Sequence, residues 1–327
     1  MTEMPRNTIL TGDAGAVLAE LPEASVDCAV TSPPYYQLRD YGAAGQLGLE
    51  PSVDGWVQAL RTVAGQIARV LKPSGAFWLN LGDSFSRHCR YGAPAKGLLL
   101  APERLVLALA ADGWLVRNKV IWAKTNPMPS SIRDRLTLTW EVLYLLVRSP
   151  SYYFDLDAIR EPHTSGSARS ARPPLGKRPE WAGPLAGSQD GLRRARAAGV
   201  PGHPLGKNPG DVWRVATRRS QGAHFATFPP ELIRRPILAT CPAQVCSHCG
   251  LAWAPLVARG IRPAGPVCDF AATPRPGVVL DPFFGTGTVG LVAAELGRHW
   301  LGIELKPEYV ELARSRLGLG AELEAAA

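Results

Sequence analysis

Thr31-Ser32-Pro33-Pro34-Tyr35 packs several chemically useful groups into five positions. The two prolines fix φ twice in a row, and Pro34 pushes Pro33 into an extended conformation, so this backbone is rigid before anything binds. Neither proline has an N–H, yet each keeps a carbonyl acceptor. Ser32 adds a hydroxyl and Tyr35 a flat ring. Acceptors beside an aromatic platform suit an exocyclic amino group on a planar base: the acceptors take its N–H bonds and the ring stacks on its face. Taken alone, the stretch also reads as a proline-rich turn closing a strand.

Near the other end of the chain lies Asp281-Pro282-Phe283-Phe284-Gly285-Thr286-Gly287-Thr288. An apolar run at 277–280 precedes it, a helical segment at 289–296 follows, and a second apolar run at 300–303 ends at Glu304. In such a β-loop-α-β unit, glycines at 285 and 287 let a ligand approach the backbone, and the carboxylate of Glu304 can take two ribose hydroxyls. Gly285, Gly287 and Gly290 satisfy G-x-G-x-x-G, which raises a nicotinamide-dependent oxidoreductase as a rival reading. Two features count against it. Asp281 places a carboxylate where a dinucleotide pyrophosphate would sit. Only about twenty residues follow Glu304, so a second mononucleotide half would have to come from the N-terminal part of the chain. A third cluster, Cys241, Cys246, Cys249 and Cys268, has the spacing C-x4-C-x2-C-x18-C. Cys246-Ser247-His248-Cys249-Gly250 resembles half of a zinc knuckle, so a structural zinc is expected there, with ordinary thiols as the alternative.

The elements that must position these groups follow from apolar periodicity. Runs at 8–10, 26–30, 76–81, 115–122 and 141–147 read as strands, and 52–71 and 101–112 as helices, the first ended by Lys72-Pro73-Ser74-Gly75. Their alternation predicts an α/β fold around a parallel sheet. Thr31 to Tyr35 then sits at a strand's C-terminal end, where open α/β sheets place ligands. Between 160 and 219 the periodicity lapses. Twelve Lys or Arg stand there against four Asp or Glu, an excess of eight that equals the +8 of the whole chain. A basic, Pro- and Gly-rich insert of this kind suits a polyanion, with Arg193, Arg194, Arg196, Arg218 and Arg219 as phosphate contacts. A non-catalytic basic nucleic-acid-binding module is the other reading that this charge allows.

Composition sets outer bounds. At 327 residues, 46% apolar and 20% charged, the chain can bury a sizeable core as an ordinary globular protein. No apolar run is long enough to span a bilayer and no signal-peptide pattern opens the chain, so it is expected in the cytoplasm with no membrane partner. Six cysteines do not make a secreted disulfide framework.

Thr31-Ser32-Pro33-Pro34-Tyr35 followed by the Asp281 to Thr288 loop, in that order, resembles the amino-methylating DNA methyltransferases of the permuted β group. The resemblance runs from about Thr8 to Leu317. It implies a doubly wound, mostly parallel α/β sheet of the S-adenosylmethionine-dependent type, with the motif order circularly permuted. The expected layout is a catalytic part at 1–158, a basic target-recognition insert at 159–212, a cofactor-closing segment at 213–240, a Cys-rich insert at 241–276 and a cofactor-binding part at 277–327. Carried over, Ser32, Pro33, Pro34 and Tyr35 match the catalytic tetrapeptide. Asp281, Phe283, Gly285, Gly287 and Thr288 match the cofactor loop, Glu304 the ribose carboxylate, and Asp13 a position near adenine. His224 to Pro229, with His224 and Phe228, resembles the segment over the methionine moiety. The implied reaction moves a methyl group from S-adenosylmethionine to an exocyclic amine of a flipped base in double-stranded DNA, with a cognate restriction nuclease as a partner in trans. Ser32 in the first motif position is typical of the cytosine-N4 enzymes of that family, whereas Asp or Asn marks most adenine-N6 enzymes, the alternative. The Pro-Cys nucleophile of cytosine-C5 enzymes is absent; Cys241-Pro242 has the reverse order.

Overall fold

In the computed structural model, residues 4–163, 203–218, 228–253 and 273–319 are described. By internal contacts the chain divides into one unit of Met1–Asp155 with Asp211–Ala327 and another of Leu156–Gly210. The first unit holds both motifs.

Its strands are β1 (Thr8–Thr11), β2 (Val26–Thr31), β3 (Leu71–Leu81), β4 (Leu115–Lys124), β5 (Trp140–Val147), β6 (Val212–Val215), the short pair β7 (Val245–Cys246) and β8 (Pro274–Arg275), then β9 (Val278–Asp281) and β10 (His299–Glu304). The helices are α1 (Ala14–Glu20), α2 (Val53–Val70), α3 (Ala101–Ala111), α4 (Pro230–Thr240), α5 (Thr288–Glu295) and α6 (Pro307–Leu317). Eight strands form one sheet in the order β1-β10-β9-β2-β3-β5-β4-β6, while β7 and β8 pair with each other.

Two core clusters explain the doubly wound arrangement. Ala29, Phe77, Leu79, Leu280 and Ile303 face α1, α2 and α3, whereas Cys28, Val30, Trp78, Val279 and Trp300 face α4, α5 and α6. Alternate side chains of the same strands thus serve opposite layers, which is why the central strands read as unbroken apolar runs. β2 is buried along its whole length.

Three expectations need correction. β5 runs antiparallel to both β3 and β4, because no helix crosses over between β4 and β5 and a direct loop can join only antiparallel neighbours. β4 is thereby restored to the direction of β3, and the sheet stays mostly parallel. Lys72 to Gly75 does follow the end of α2 at Val70 as expected, but it is the irregular start of β3 rather than a loop before a strand at 76, with a register shift opposite Val26 and Cys28. There the Lys72 ammonium reaches Asp27 Oδ1 at 2.5 Å, and Asp27 Oδ2 accepts the Val278 N–H at 2.9 Å, so a buried ion pair ties β2, β3 and β9. β6 has no counterpart among the expected strands; four residues inside a basic stretch give no periodic signal. Among the described residues no helix is long and apolar enough to cross a membrane.

Candidate active site

β9 pairs with β2 in parallel, so the two motifs, some 250 positions apart, end up at neighbouring strand ends. The Thr31 hydroxyl donates to Asp281 Oδ1 at 2.5 Å, and the same oxygen accepts the Phe283 N–H at 3.0 Å. Burial pushes the Asp281 carboxyl up to about 7, against the Thr31 and Phe283 hydrogen bonds, which lower it. On one side of this junction the sheet runs to β9, β10 and β1, on the other to β3, which makes it a topological switch point.

Ser32 to Tyr35 leave the ladder because two prolines cannot donate to it. The stretch is pinned from below by α2. Ser52 caps that helix by accepting the Gly55 N–H at 3.2 Å, and the Trp56 indole N–H donates to the Pro34 carbonyl at 2.9 Å. Of the two proline carbonyls, therefore, one is already engaged. The Pro33 carbonyl accepts no hydrogen bond among the described residues.

Around Ser32 and Tyr35 lies a polar network. The Ser32 hydroxyl donates to the Tyr35 oxygen at 3.1 Å, and the Tyr35 hydroxyl donates to Glu141 Oε2 at 2.6 Å. Asn80 Nδ2 lies 2.6 Å from the Tyr35 oxygen, 2.9 Å from Glu141 Oε2 and 3.3 Å from Ser32 Oγ. The Lys124 ammonium donates to Glu141 Oε1 at 2.6 Å. Burial, then the Glu141 charge, raise the Tyr35 phenol well above its ordinary value, so it stays a donor. Gly82 leaves room for the ring, since a Cβ there would fall 2.6 Å from Tyr35 Cε2. Sequence reasoning misses Asn80, Lys124 and Glu141. Their one signal is position: Glu141 is a lone charge at the mouth of the apolar run Val142 to Val147, and Asn80 the polar residue inside 76–81.

On the other side of the junction, Glu304 ends β10 at 8% exposure. Its Oε2 accepts the Gly285 N–H at 2.7 Å and its Oε1 the Lys306 N–H at 2.9 Å. No salt bridge reaches it among the described residues; the Lys306 ammonium donates instead to the Tyr41 carbonyl at 2.7 Å. Burial raises its carboxyl. Gly285 and Gly287 have φ of +51° and +81°, a conformation that favours glycine. Gly290 serves another purpose, since a Cβ there would fall 2.6 Å from Phe284 Cζ. Phe284 is buried and stacks on Trp300 at 5.2 Å, so Phe284 anchors the loop while Phe283 stays partly buried beside the other core cluster. The Thr288 hydroxyl accepts from Arg316 at 2.9 Å. Asp13 caps α1 through the Ala16 N–H at 2.9 Å, and β1 ends at Thr11 opposite Glu304. A buried carboxylate held by backbone N–H groups, beside a floor of positive-φ glycines, fits a ribose-bearing cofactor such as S-adenosylmethionine.

Elsewhere the expected sets are only partly met. Phe228 is partly buried against the second core cluster, and His224 lies outside the described residues. Arg218 is exposed and ion-paired with Glu231; Arg193, Arg194, Arg196 and Arg219 lie outside the described residues. Of the expected four-cysteine set, three members are described. Cys241 is buried in the second core cluster, where burial raises its thiol. Cys246 and Cys249 flank one turn, with the Cys249 N–H 3.4 Å from Cys246 Sγ, and Cys268 lies outside the described residues. Among the described residues no three His, Cys, Asp or Glu side chains gather to hold a metal.

A family model described as "DNA methylase", of the N6/N4 methyltransferases, matches residues 26–315. Type II methyltransferase M.Cfr9I of Citrobacter freundii is 36% identical, over 96% of this chain and 89% of its own length. Type II methyltransferase M.SmaI of Serratia marcescens is 33% identical, over 94% and 90%. Among solved structures, the PvuII DNA methyltransferase (cytosine-N4-specific) has a TM-score of 0.60 at 19% identity, covering 96% of this chain and 86% of that one. A putative DNA modification methylase of Thermus thermophilus, complexed with S-adenosyl-L-methionine, has a TM-score of 0.53 at 24% identity and covers 95% of each chain.

Proposed function

This chain belongs to the N6/N4 DNA methylase family, and from that premise we propose that it transfers a methyl group from S-adenosylmethionine to the exocyclic N4 amine of cytosine in duplex DNA. The observation that carries the reading is the acceptor pair left at the tetrapeptide. Ser32 Oγ is held by Asn80 and Tyr35, and the Pro33 carbonyl is the proline acceptor that Trp56 does not take. Serine in this first position is the feature that favours cytosine over adenine.

S-adenosylmethionine, when bound, supplies a sulfonium methyl that is already activated. What remains for the protein is alignment, and positioning of this kind can supply about 7–11 kcal/mol. Ser32 Oγ and the Pro33 carbonyl accept the two N–H bonds of the amine. Its lone pair, otherwise drawn into the base, is thereby turned toward the methyl. Tyr35 packs a ring beside the base while its hydroxyl is fixed by Glu141. Glu304 takes the ribose hydroxyls, and Gly285 and Gly287 keep side chains out of the methionine path, with Asp281, Phe283 and Thr288 lining the loop, Asp13 near adenine, and His224 and Phe228 closing over the methionine moiety. The transfer needs no covalent enzyme intermediate. Arg193, Arg194, Arg196, Arg218 and Arg219 are assigned to phosphates of the same duplex.

The test is the product. Mixed-sequence duplex DNA is incubated with isotope-labelled S-adenosylmethionine, digested to nucleosides and read by mass spectrometry. N4-methylcytosine is expected. Glu141→Ala, which strips Tyr35 of its acceptor, should lower the rate about a hundredfold with KM for S-adenosylmethionine unchanged. N6-methyladenine would keep the enzyme class and overturn the base; 5-methylcytosine would overturn the mechanism.

A further inference from the structure

The loop at 125–139, between β4 and β5, carries apolar side chains that the fold does not use. Met128 is 87% exposed and Leu136 90%, with Ile132 and Leu138 also exposed in the same loop. Both ends of this loop are tied to the tetrapeptide. Lys124, the last residue of β4, donates to Glu141, and Glu141 in turn holds the Tyr35 hydroxyl. Because β4 runs in the direction of β3, the loop springs from the same edge of the sheet as Ser32 and Glu304.

The loop is also braced. Asn126 exchanges hydrogen bonds with Thr217 at 2.7 and 3.0 Å, Asp134 pairs with Lys96 at 2.7 Å, and the Arg135 guanidinium lies 3.5 Å over the Phe85 ring. Pro127 and Pro129 flank Met128, fixing φ on both sides and holding Met128 extended. A braced bracket that keeps large apolar groups in water contributes nothing to the core and leaves Met128 and Leu136 standing clear of the fold, where each can enter a partner. What reaches this edge under the proposed reaction is a base turned out of a duplex. Its departure leaves a gap in the stack, and apolar wedges such as Met and Leu fill gaps of that kind. Exposed Arg133, with Arg135 two residues on, gives the loop a sign that suits flanking phosphates.

We propose that Met128 and Leu136 enter the DNA base stack beside the target nucleotide and hold open the gap left when it is extruded. The proposal rests on the amino-methylation reading and adds to it the part of the chain that opens the duplex. The test uses the full chain and duplexes carrying a methylated site mapped with the wild-type protein. In one duplex the target base is normally paired, in another mispaired, in a third opposite an abasic position. For Met128→Ala/Leu136→Ala, kcat/KM should fall about tenfold or more on the paired duplex and less than about threefold on the other two, where the stack is already weak. Fluorescence of 2-aminopurine next to the target should rise less with the variant than with wild type. An equal loss on all three duplexes, or no loss on the paired one, would overturn the proposal. So would a change in solution mass on substitution, which would make the loop a contact between copies of the chain. Wild-type protein that methylates none of the duplexes removes the parent reading, and this one with it.

Discussion

Asp281 carries the clearest single-residue consequence. It is buried at the junction of the two motifs, and its carboxyl is raised from 3.8 to about 7. Between about pH 4 and pH 7 the folded chain therefore holds a proton that the unfolded chain has lost. Stability from this group is full below the unfolded value, falls as pH rises through that window, and levels off above 7. Asp281→Asn keeps an oxygen to accept from Thr31 and Phe283 and cannot ionise. Variant and wild type should be of similar stability near pH 4, with the variant ahead by about 4 kcal/mol at pH 8. Urea unfolding at both pH values checks this; parallel pH profiles would show that Asp281 does not titrate as stated.

At the scale of elements, the Asp281 to Thr288 loop is held by aromatic packing rather than by its glycines alone. Phe284 stacks on Trp300 of β10 while Gly290 of α5 and Gly302 of β10 leave the ring its space. A methyl group at 302 would collide with that ring, and overpacking of a tight core costs about 1–3 kcal/mol. Gly302→Ala should lower stability by that amount and, by shifting the loop that presents Gly285 to Glu304, weaken S-adenosylmethionine binding as well. Thermal melts and calorimetric titration read the two effects separately. A destabilised protein with unchanged affinity would mean that the loop finds its conformation without Phe284.

At the scale of the whole molecule, the parallel pairing of β2 and β9 brings the Thr31 to Tyr35 stretch and the Asp281 to Thr288 loop to one end of the sheet. Ligand that binds only the folded state stabilises it by mass action, by about 2.7 kcal/mol at a hundredfold excess over Kd. S-adenosylmethionine should therefore raise Tm and NAD should not; a shift with NAD alone would return the glycine loop to the oxidoreductase reading. The excess of eight positive charges between 160 and 219 predicts duplex binding that weakens steeply with salt, and a salt-independent affinity would remove the insert from the interface. Among the described cations of that stretch, Arg160 is paired with Asp157, Lys207 with Glu161 and Arg218 with Glu231.

Much of this was legible in the order of residues. Apolar runs marked β2, β9 and β10, a 3.6-residue period marked α2, and prolines and glycines marked where each motif leaves its strand. Those signals are local, arising from the backbone and from nearest neighbours, so they survive without knowledge of the fold. The motif order likewise carried the family resemblance. Tertiary structure alone decided which acceptors remain for a substrate, because Trp56, Asn80 and Glu141 come from three other elements. Tyr35 and Glu141 are 106 positions apart, and a lone polar residue beside an apolar run looks the same whether it meets solvent or a phenol. The same holds for Cys241, whose spacing groups it with Cys246 and Cys249 but whose side chain is buried in the second core cluster, and for Gly290, which fits a phosphate-loop pattern yet makes room for Phe284. Spacing along the chain fixes what a residue can do; packing across the sheet decides which partner it meets.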